Sequence, residues 1–81
     1  MRLDKYLKVS RLIKRRTVAC DACNAGRVSV NGIVKKAAWE VKPGDIIEIS
    51  FGQTPVRVEV LSVEESVRKD DAKEMYRIVQ S

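Results

Sequence analysis

The first apolar positions of the chain follow a helical period. Leu3 and Leu7 lie four residues apart, Tyr6 lies at the margin of the same face, and basic residues occupy most of the intervening positions. Side chains three or four residues apart share one face of an α-helix, so this spacing predicts a helix of about two turns that begins at Leu3. Leu12 and Ile13 interrupt the polar run that follows, and we expect them to anchor the connection to the core.

A second helix is predicted to begin near Thr17 and to end at Gly26. The Thr17 hydroxyl can accept a hydrogen bond from a first-turn amide, and Gly26 can adopt the left-handed conformation that often follows the last helical residue. Ala19, Ala22 and Cys23 are small and share one face of this segment. That face predicts close packing against another element.

After the second helix, apolar and polar residues alternate, which is the period of a strand with one buried face. Val28 and Val30 precede Asn31-Gly32, a dipeptide that tolerates positive φ at both central positions of a tight turn. We therefore predict a hairpin into residues 33–36.

Three further strands are predicted after a turn at residues 42–45 (KPGD), where proline fixes φ and glycine adds freedom. Their alternation places one set of apolar residues on a common face of a sheet. The mixed charges of residues 64–74 predict a solvated loop or a short helix. The predicted strand segments are residues 46–51 with Ile47, Ile49 and Phe51, residues 56–63 with Val56, Val58 and Val60, and a last strand with Tyr76 and Ile78.

The chain has 81 residues, the size of one small domain. A chain of this length buries only about 60% of its unfolded surface, so we expect a modest core with little room for a deep catalytic cleft. Hydrophobic content of 44% and charged content of 33% are ordinary for a folded domain. No apolar run approaches the ~18 to 20 residues of a membrane span or the ~7 to 15 of a signal peptide, which predicts a cytoplasmic protein.

Positive charge is concentrated at the N-terminus. Residues 1–16 hold seven Lys or Arg and one acid, a net charge of +6, whereas the remaining 65 residues carry −1. A cationic patch on a near-neutral body is the electrostatic footprint of a protein that binds a polyanion. The candidate ligands are the basic residues of this segment and of the predicted hairpin, namely Arg2, Lys5, Lys8, Arg11, Lys14, Arg15, Arg16, Arg27, Lys35 and Lys36.

A basic run on a short helix can also be a solvated face without a partner. Three observations favour a polyanion instead. Basic residues recur around the adjacent hairpin, at Arg27, Lys35 and Lys36. Acids that would form i,i+4 ion pairs are almost absent before Asp21, and residues 14–16 precede a predicted helix start, where amide groups favour phosphate. A membrane surface would need a larger apolar face than Leu3 and Leu7 provide, so no membrane partner is expected.

Histidine is absent, which removes the commonest general base and the commonest zinc ligand. Cys20 and Cys23 form a C-x-x-C pair, but a four-ligand zinc site would need two more ligands, and a thioredoxin-type pair would lie at the start of a helix. We expect two small, half-buried, reduced thiols and no bound metal, with a zinc site shared across a dimer as the alternative.

No catalytic residue is predicted. Asp4 and Asp21 are the only carboxylates near the basic cluster, and no nucleophile or metal shell accompanies them. Asp4 is expected to pair with a neighbouring arginine or to cap the first helical turn. Trp39 and Tyr6 could stack on a base or pack in the core, and packing is favoured for Trp39.

Four segments together resemble the S4 RNA-binding domain family. They are residues 2–7 (RLDKYL), the basic residues 11–16, residues 26–32 (GRVSVNG) and residues 42–46 (KPGDI). The resemblance covers about residues 1–52. It implies an α+β fold of the α-L type, in which two antiparallel helices pack on a small bent, mainly antiparallel sheet. Residues 53–81 would then be a C-terminal strand and short-helix extension packed on the same domain.

The short tail is similar to that of the small stand-alone bacterial members of this family. The resemblance implies binding to the large ribosomal subunit when it carries peptidyl-tRNA after a stalled ribosome splits, with contacts to ribosomal RNA and tRNA. In one branch this supports C-terminal tailing of the stalled chain, with a tailing factor as a further partner. Arg2 and Arg16 would contact RNA, and Arg11, Lys14 and Arg15 would be further phosphate ligands. We expect a monomer without a cofactor.

Three alternatives stay open at this point. The heat-shock branch of the same family recycles obstructed large subunits, but its members usually carry a longer basic C-terminal extension. An RNA-modifying enzyme is disfavoured, because such enzymes need a separate catalytic domain. The third is a protein-interaction module whose basic face binds an acidic partner.

Overall fold

The computed structural model describes residues 1–50, 55–63 and 75–79, and in them two helices cover one face of a five-stranded sheet. Neighbouring strands are antiparallel, in the order β2-β1-β3-β4-β5. The expected architecture of two helices on an antiparallel sheet is therefore confirmed. The elements are α1 Leu3–Val9, α2 Arg16–Asn24, β1 Val28–Val30, β2 Ile33–Val34, β3 Ile46–Ile49, β4 Val56–Val60 and β5 Tyr76–Ile78.

Helix α1 begins where its apolar period predicts. Leu3, Tyr6 and Leu7 are fully buried, and Ile13 in the following connection is buried as well. The hydroxyl of Tyr6 donates a 2.7 Å hydrogen bond to the backbone carbonyl of Met75. This contact joins α1 to the segment that leads into β5.

Helix α2 begins one residue earlier than the position predicted from Thr17. Arg15 is the N-cap, with extended backbone angles, and its carbonyl accepts the first helical hydrogen bond from the amide of Ala19. Thr17 is thus already inside the helix, and the prediction that it caps α2 is wrong. Gly26 does adopt the left-handed conformation, with φ of +80°, as expected.

The buried face of the sheet is built by alternate residues, as predicted for a one-sided sheet. Val56 is an exception, since it is 39% exposed at the start of β4. Strand β5 confirms the prediction from Tyr76 and Ile78, whereas Phe51 and residues 64–74 lie outside the described residues. The buried strand residues are Val28, Val30, Ile47, Ile49, Val58 and Val60.

Hydrogen bonds join the hairpin turn at Asn31-Gly32 to the turn at residues 42–45. Asn31 has φ of +53° and Gly32 φ of +83°, the conformation expected of the hairpin turn. The amide group of Asn31 donates to Asp45 Oδ1 at 3.1 Å, and its oxygen accepts from the Ile46 amide at 3.0 Å. Asp45 Oδ2 also accepts from the Lys42 amide at 2.8 Å. These residues therefore stabilise the scaffold beside the basic helices.

Candidate nucleic-acid interface

A buried carboxylate lies between two arginines at the centre of the basic segment. Asp4 is in the first turn of α1 and its side chain is only 4% exposed, while those of Arg2 and Arg16 are 52% and 49% exposed. Arg2 Nε donates to Asp4 Oδ1 at 3.2 Å and Arg2 Nη2 to Oδ2 at 3.4 Å. Arg16 Nε lies 3.5 Å from Oδ2. We call Arg2, Asp4 and Arg16 the arginine clamp.

The surroundings of Asp4 keep it ionised. Burial alone would raise the pKa of this carboxyl, but the hydrogen bonds from Arg2 and from the Lys5 amide, together with the charges of Arg16 and Arg2, outweigh it and lower the pKa. The Lys5 amide donates to Oδ1 at 2.8 Å. Asp4 therefore pairs with a neighbouring arginine, as predicted. It accepts from a first-turn amide but is not the helix cap, because the N-cap of α1 is Arg2 and Asp4 lies inside the helix. The clamp carries a net charge of +1 at neutral pH.

The end of α1 and the connection between the helices present four further cations, of which Lys8 lies in α1. Lys8, Arg11, Lys14 and Arg15 are all exposed. Arg11 has φ of +64°, a left-handed conformation that is unfavourable for a side chain with a Cβ. The chain turns at this residue after α1, where its amide donates to the Lys8 carbonyl at 3.1 Å. Arg11 therefore lies at the exposed corner between the two helices, at a cost in backbone strain.

The first turn of α2 also offers hydrogen-bond donors. No side chain caps it, and the helical bonds begin at the Ala19 amide, so the amides of residues 16–18 have no acceptor within the helix. These groups lie directly beside Arg15 and Arg16. Exposed amides at a helix start attract anions, and the adjacent guanidinium groups strengthen that attraction.

The remaining predicted site residues lie away from the arginine clamp or already have partners within the fold. Arg27 lies beyond the C-terminal end of α2, at the opposite end from Arg16. Lys36 Nζ donates to the Asn24 carbonyl at 3.5 Å, which satisfies one of the last carbonyls of α2. Lys35 Nζ lies 5.3 Å from the ring centre of Trp39, a cation–π contact. Lys5 is partly buried in α1.

Both aromatic residues that could have stacked on bases pack within the fold instead. Tyr6 is fully buried, and Trp39 is half-buried against the core, with its carbonyl accepting from the Leu3 amide at 2.7 Å. The interpretation of Trp39 as a packing residue is confirmed. Cys23 is fully buried and Cys20 partly so, and burial, followed by the charges of Asp4 and Cys20, raises the pKa of Cys23 to about 11.

The carboxylates of the sheet are engaged away from the basic helices. Glu48 accepts from Arg57 at 2.8 Å on the solvent face of β3 and β4, and Glu59 pairs with Arg77 of β5 in the same way. Asp4, in contrast, pairs with two cations of the basic segment, Arg2 and Arg16. Glu48 and Glu59 are paired with arginines of the sheet itself.

Two features of the site were not found from the sequence. The approach of Arg16 to the carboxylate that also holds Arg2 depends on how α1 and α2 pack, and no local pattern encodes it. The left-handed conformation of Arg11 was missed because the residue types that usually signal it are glycine and asparagine. A drop in apolar content between two short helices was the only available hint of a tight corner.

A pair of short basic helices set on a small antiparallel sheet is the arrangement of an S4-type domain. The family model described as S4 domain matches residues 1–47, and the chain belongs to this family. The resemblance found in the sequence is thereby confirmed. Neither helix in the described part of the chain is long and apolar enough to cross a membrane.

Several relatives are similar over nearly the whole chain. The RQC P-site tRNA stabilizing factor of Halalkalibacterium halodurans is 56% identical over 78 residues, covering 96% of this chain and 89% of the relative. The protein of the same name from Bacillus subtilis is 51% identical, covering 98% of this chain and 92% of the relative. A heat shock protein 15 homologue of Aeromonas salmonicida is 38% identical over 65 residues, which is 80% of this chain but 49% of the homologue.

Two solved structures have the same fold. The trimeric structure of heat shock protein 15 from Vibrio cholerae superposes with a TM-score of 0.90 at 28% identity, over 98% of this chain and 81% of that one. The solution structure of the hypothetical protein HP1423 gives a TM-score of 0.84 at 34% identity, over 100% of this chain and 99% of that one.

Proposed function

We propose that this protein binds structured RNA through its helix pair without catalysing a reaction. The observation that carries the proposal is the arginine clamp, in which two half-exposed guanidinium groups are fixed around one buried carboxylate. Arginine suits this task because its planar group can make two parallel hydrogen bonds to a phosphate. Structured RNA is recognised largely by shape and phosphate spacing, so we expect little dependence on base sequence.

The proposed RNA-binding surface has a centre and a margin. Arg2, Arg16, Arg11, Lys14 and Arg15 form its centre, because they lie at the clamp or at the exposed corner and helix start beside it. Lys5 and Lys8 extend this surface along α1. Arg27, Lys35 and Lys36 lie at its margin, since Lys35 and Lys36 already have partners in the folded chain and Arg27 is at the far end of α2.

We further propose that the RNA target is the large ribosomal subunit carrying peptidyl-tRNA, in the ribosome-associated quality control (RQC) that follows splitting of a stalled ribosome. The relatives named RQC P-site tRNA stabilizing factor support this assignment, because the alignment covers nearly the whole of both chains. The partners would be ribosomal RNA, tRNA and a factor that tails the stalled nascent chain. The protein would act in the cytoplasm as a monomer.

A role in recycling obstructed large subunits, as in the heat-shock branch, is the second candidate. The close superposition on heat shock protein 15 favours it. The alignment nevertheless spans only 49% of the heat shock protein 15 homologue, against 89% and 92% of the two stabilizing factors. Sequence identity is also higher with the two stabilizing factors, 56% and 51% against 38%, and this favours the quality-control role.

Binding to purified large subunits is expected to depend on peptidyl-tRNA and on salt. In sucrose-gradient cosedimentation, more protein should accompany subunits that carry peptidyl-tRNA than empty subunits. If about five phosphates are neutralised, log affinity should fall against log salt with a slope of roughly −3 to −5. A flat salt dependence would refute the RNA-binding surface, and equal binding to both subunit forms would refute the tRNA contact while leaving the RNA contact intact.

Arg11→Gly is expected to increase stability while weakening RNA binding. Glycine removes the strain of the left-handed conformation, so the free energy of unfolding should rise by up to about 1 kcal/mol in urea denaturation. Loss of one phosphate contact should reduce affinity for large subunits several-fold. A variant that binds as tightly as the wild type would show that Arg11 does not serve binding. A variant that is less stable would show that the left-handed conformation is not the dominant cost at this corner.

A further inference from the structure

We infer that Asp4 is a positioning residue for RNA binding: its carboxylate holds Arg2 and Arg16 so that both guanidinium groups point an unused edge towards phosphate. The inference rests on the proposed RNA-binding function. It assigns a role to the one acidic residue of a segment that otherwise carries seven cations. A carboxylate in such a place would ordinarily weaken binding to a polyanion, so its position calls for a physical reason.

The atoms that face Asp4 decide which edge of each guanidinium is left for RNA. Arg2 contacts the carboxylate through Nε and Nη2, the side edge of its planar group. Arg16 approaches through Nε as well. The end edge of a guanidinium, formed by the outward N–H bonds of its two Nη atoms, is therefore uncommitted to Asp4 in both residues. That edge can make a bidentate contact with a phosphate.

Asp4 itself cannot easily move. Its side chain is 4% exposed, and Oδ1 accepts from the Lys5 amide at 2.8 Å in addition to Arg2. An arginine that is free in solution must lose much rotamer freedom when it binds, whereas one already held by a buried anchor loses less. The clamp therefore preorganises two arginines that come from different parts of the chain, one before α1 and one at the start of α2.

A purely electrostatic view of Asp4 predicts the opposite sign for its removal. If the carboxylate only offsets nearby positive charge, replacing it with a neutral group should tighten RNA binding. If it positions the arginines, the same replacement should weaken binding. Asparagine separates the two cases. Its amide nitrogen can replace Oδ2, the atom that Arg2 Nη2 and Arg16 Nε approach. Hydrogen-bond donors would then face donors, and the arginines would no longer be held.

The test compares Asp4→Asn with Asp21→Asn, a matched control that also converts a carboxylate to an amide. Asp21 is exposed in α2 and lies outside the clamp. Affinity for large subunits carrying peptidyl-tRNA is measured at a temperature where circular dichroism reports both variants as folded. We expect Asp4→Asn to weaken binding about 5- to 20-fold and Asp21→Asn to leave it unchanged or tighten it up to about threefold. Unchanged or tighter binding by Asp4→Asn overturns the inference.

A second background distinguishes positioning from a general structural effect. When Arg2 and Arg16 are both replaced by glutamine, Asp4 has no arginine to position. Asp4→Asn should then cause no further loss of affinity at low salt. A similar loss in both backgrounds would mean that Asp4 only supports the fold, which overturns the inference. A wild-type protein that fails to bind large subunits would instead overturn the proposed function.

Discussion

Replacing Arg16 with alanine should reduce affinity for large subunits by roughly 5- to 150-fold, which corresponds to about 1–3 kcal/mol for a lost charge-assisted contact. Arg16 is the residue in which three features meet, since it begins α2, lies beside the uncapped amides and contacts Asp4 at 3.5 Å. Its loss would remove a proposed phosphate ligand and one of the two arginines of the clamp. Cosedimentation at two salt concentrations measures the effect, and the slope of log affinity should become shallower by about one unit.

The same substitution should change stability little. Asp4 retains both contacts to Arg2 and the hydrogen bond from the Lys5 amide, so its charge stays compensated. Because Arg16 is half-exposed, its ion pair is screened by water, and we expect the free energy of unfolding to fall by no more than about 1 kcal/mol. Arg77→Ala is the matched control, since it removes a guanidinium paired with Glu59 at the β5 edge of the sheet.

Binding by Arg77→Ala should equal that of the wild type. If it falls as far as that of Arg16→Ala, net charge and not the helical surface governs binding. If Arg16→Ala instead unfolds several kcal/mol more easily, Arg16 is primarily a structural partner of Asp4. Either result would remove the central residue of the proposed RNA-binding surface.

Local patterns in the sequence were sufficient for most of the fold. The spacing of Leu3 and Leu7 predicted α1, and the Asn31-Gly32 dipeptide predicted the hairpin, because each depends on residues that are close in the chain. The start of α2 was misplaced by one residue, since Thr17 is a favourable cap but the chain turns into the helix at Arg15. Capping preference is a weak local signal that the packing of the preceding connection can override.

The site was predicted as a list of cations but not as an arrangement. Charge counting identified residues 1–16 as the cationic segment, and the structure shows the sheet carboxylates Glu48 and Glu59 paired with Arg57 and Arg77. The sequence could not show that one carboxylate serves both Arg2 and Arg16, because this contact depends on the packing of two helices. It also gave Lys36 the same weight as Arg16, although Lys36 satisfies a carbonyl at the end of α2.

Tyr6→Ala should have the largest effect on stability, a loss of about 3–5 kcal/mol in the free energy of unfolding. Tyr6 is fully buried and is among the largest side chains of the core, between the helices and the segment that precedes β5. Removing its ring leaves a cavity that the surrounding side chains can fill only in part. A domain of this size has a free energy of unfolding of about 4–12 kcal/mol in total, so the loss is a large share of it. Urea denaturation measures this loss.

Tyr6→Phe separates the ring from the hydroxyl and tests whether this aromatic residue contacts RNA. The Met75 carbonyl also accepts from the amides of Leu61 at 2.8 Å and Ser62 at 3.2 Å, so it keeps hydrogen-bond partners when the hydroxyl is removed. We therefore expect a loss of only about 0.5–1.5 kcal/mol. RNA affinity should be unchanged below the unfolding transition, because the ring is buried. Reduced affinity of a folded Tyr6→Phe protein would mean that Tyr6 contacts the RNA, and the proposed orientation of α1 towards the RNA would be wrong.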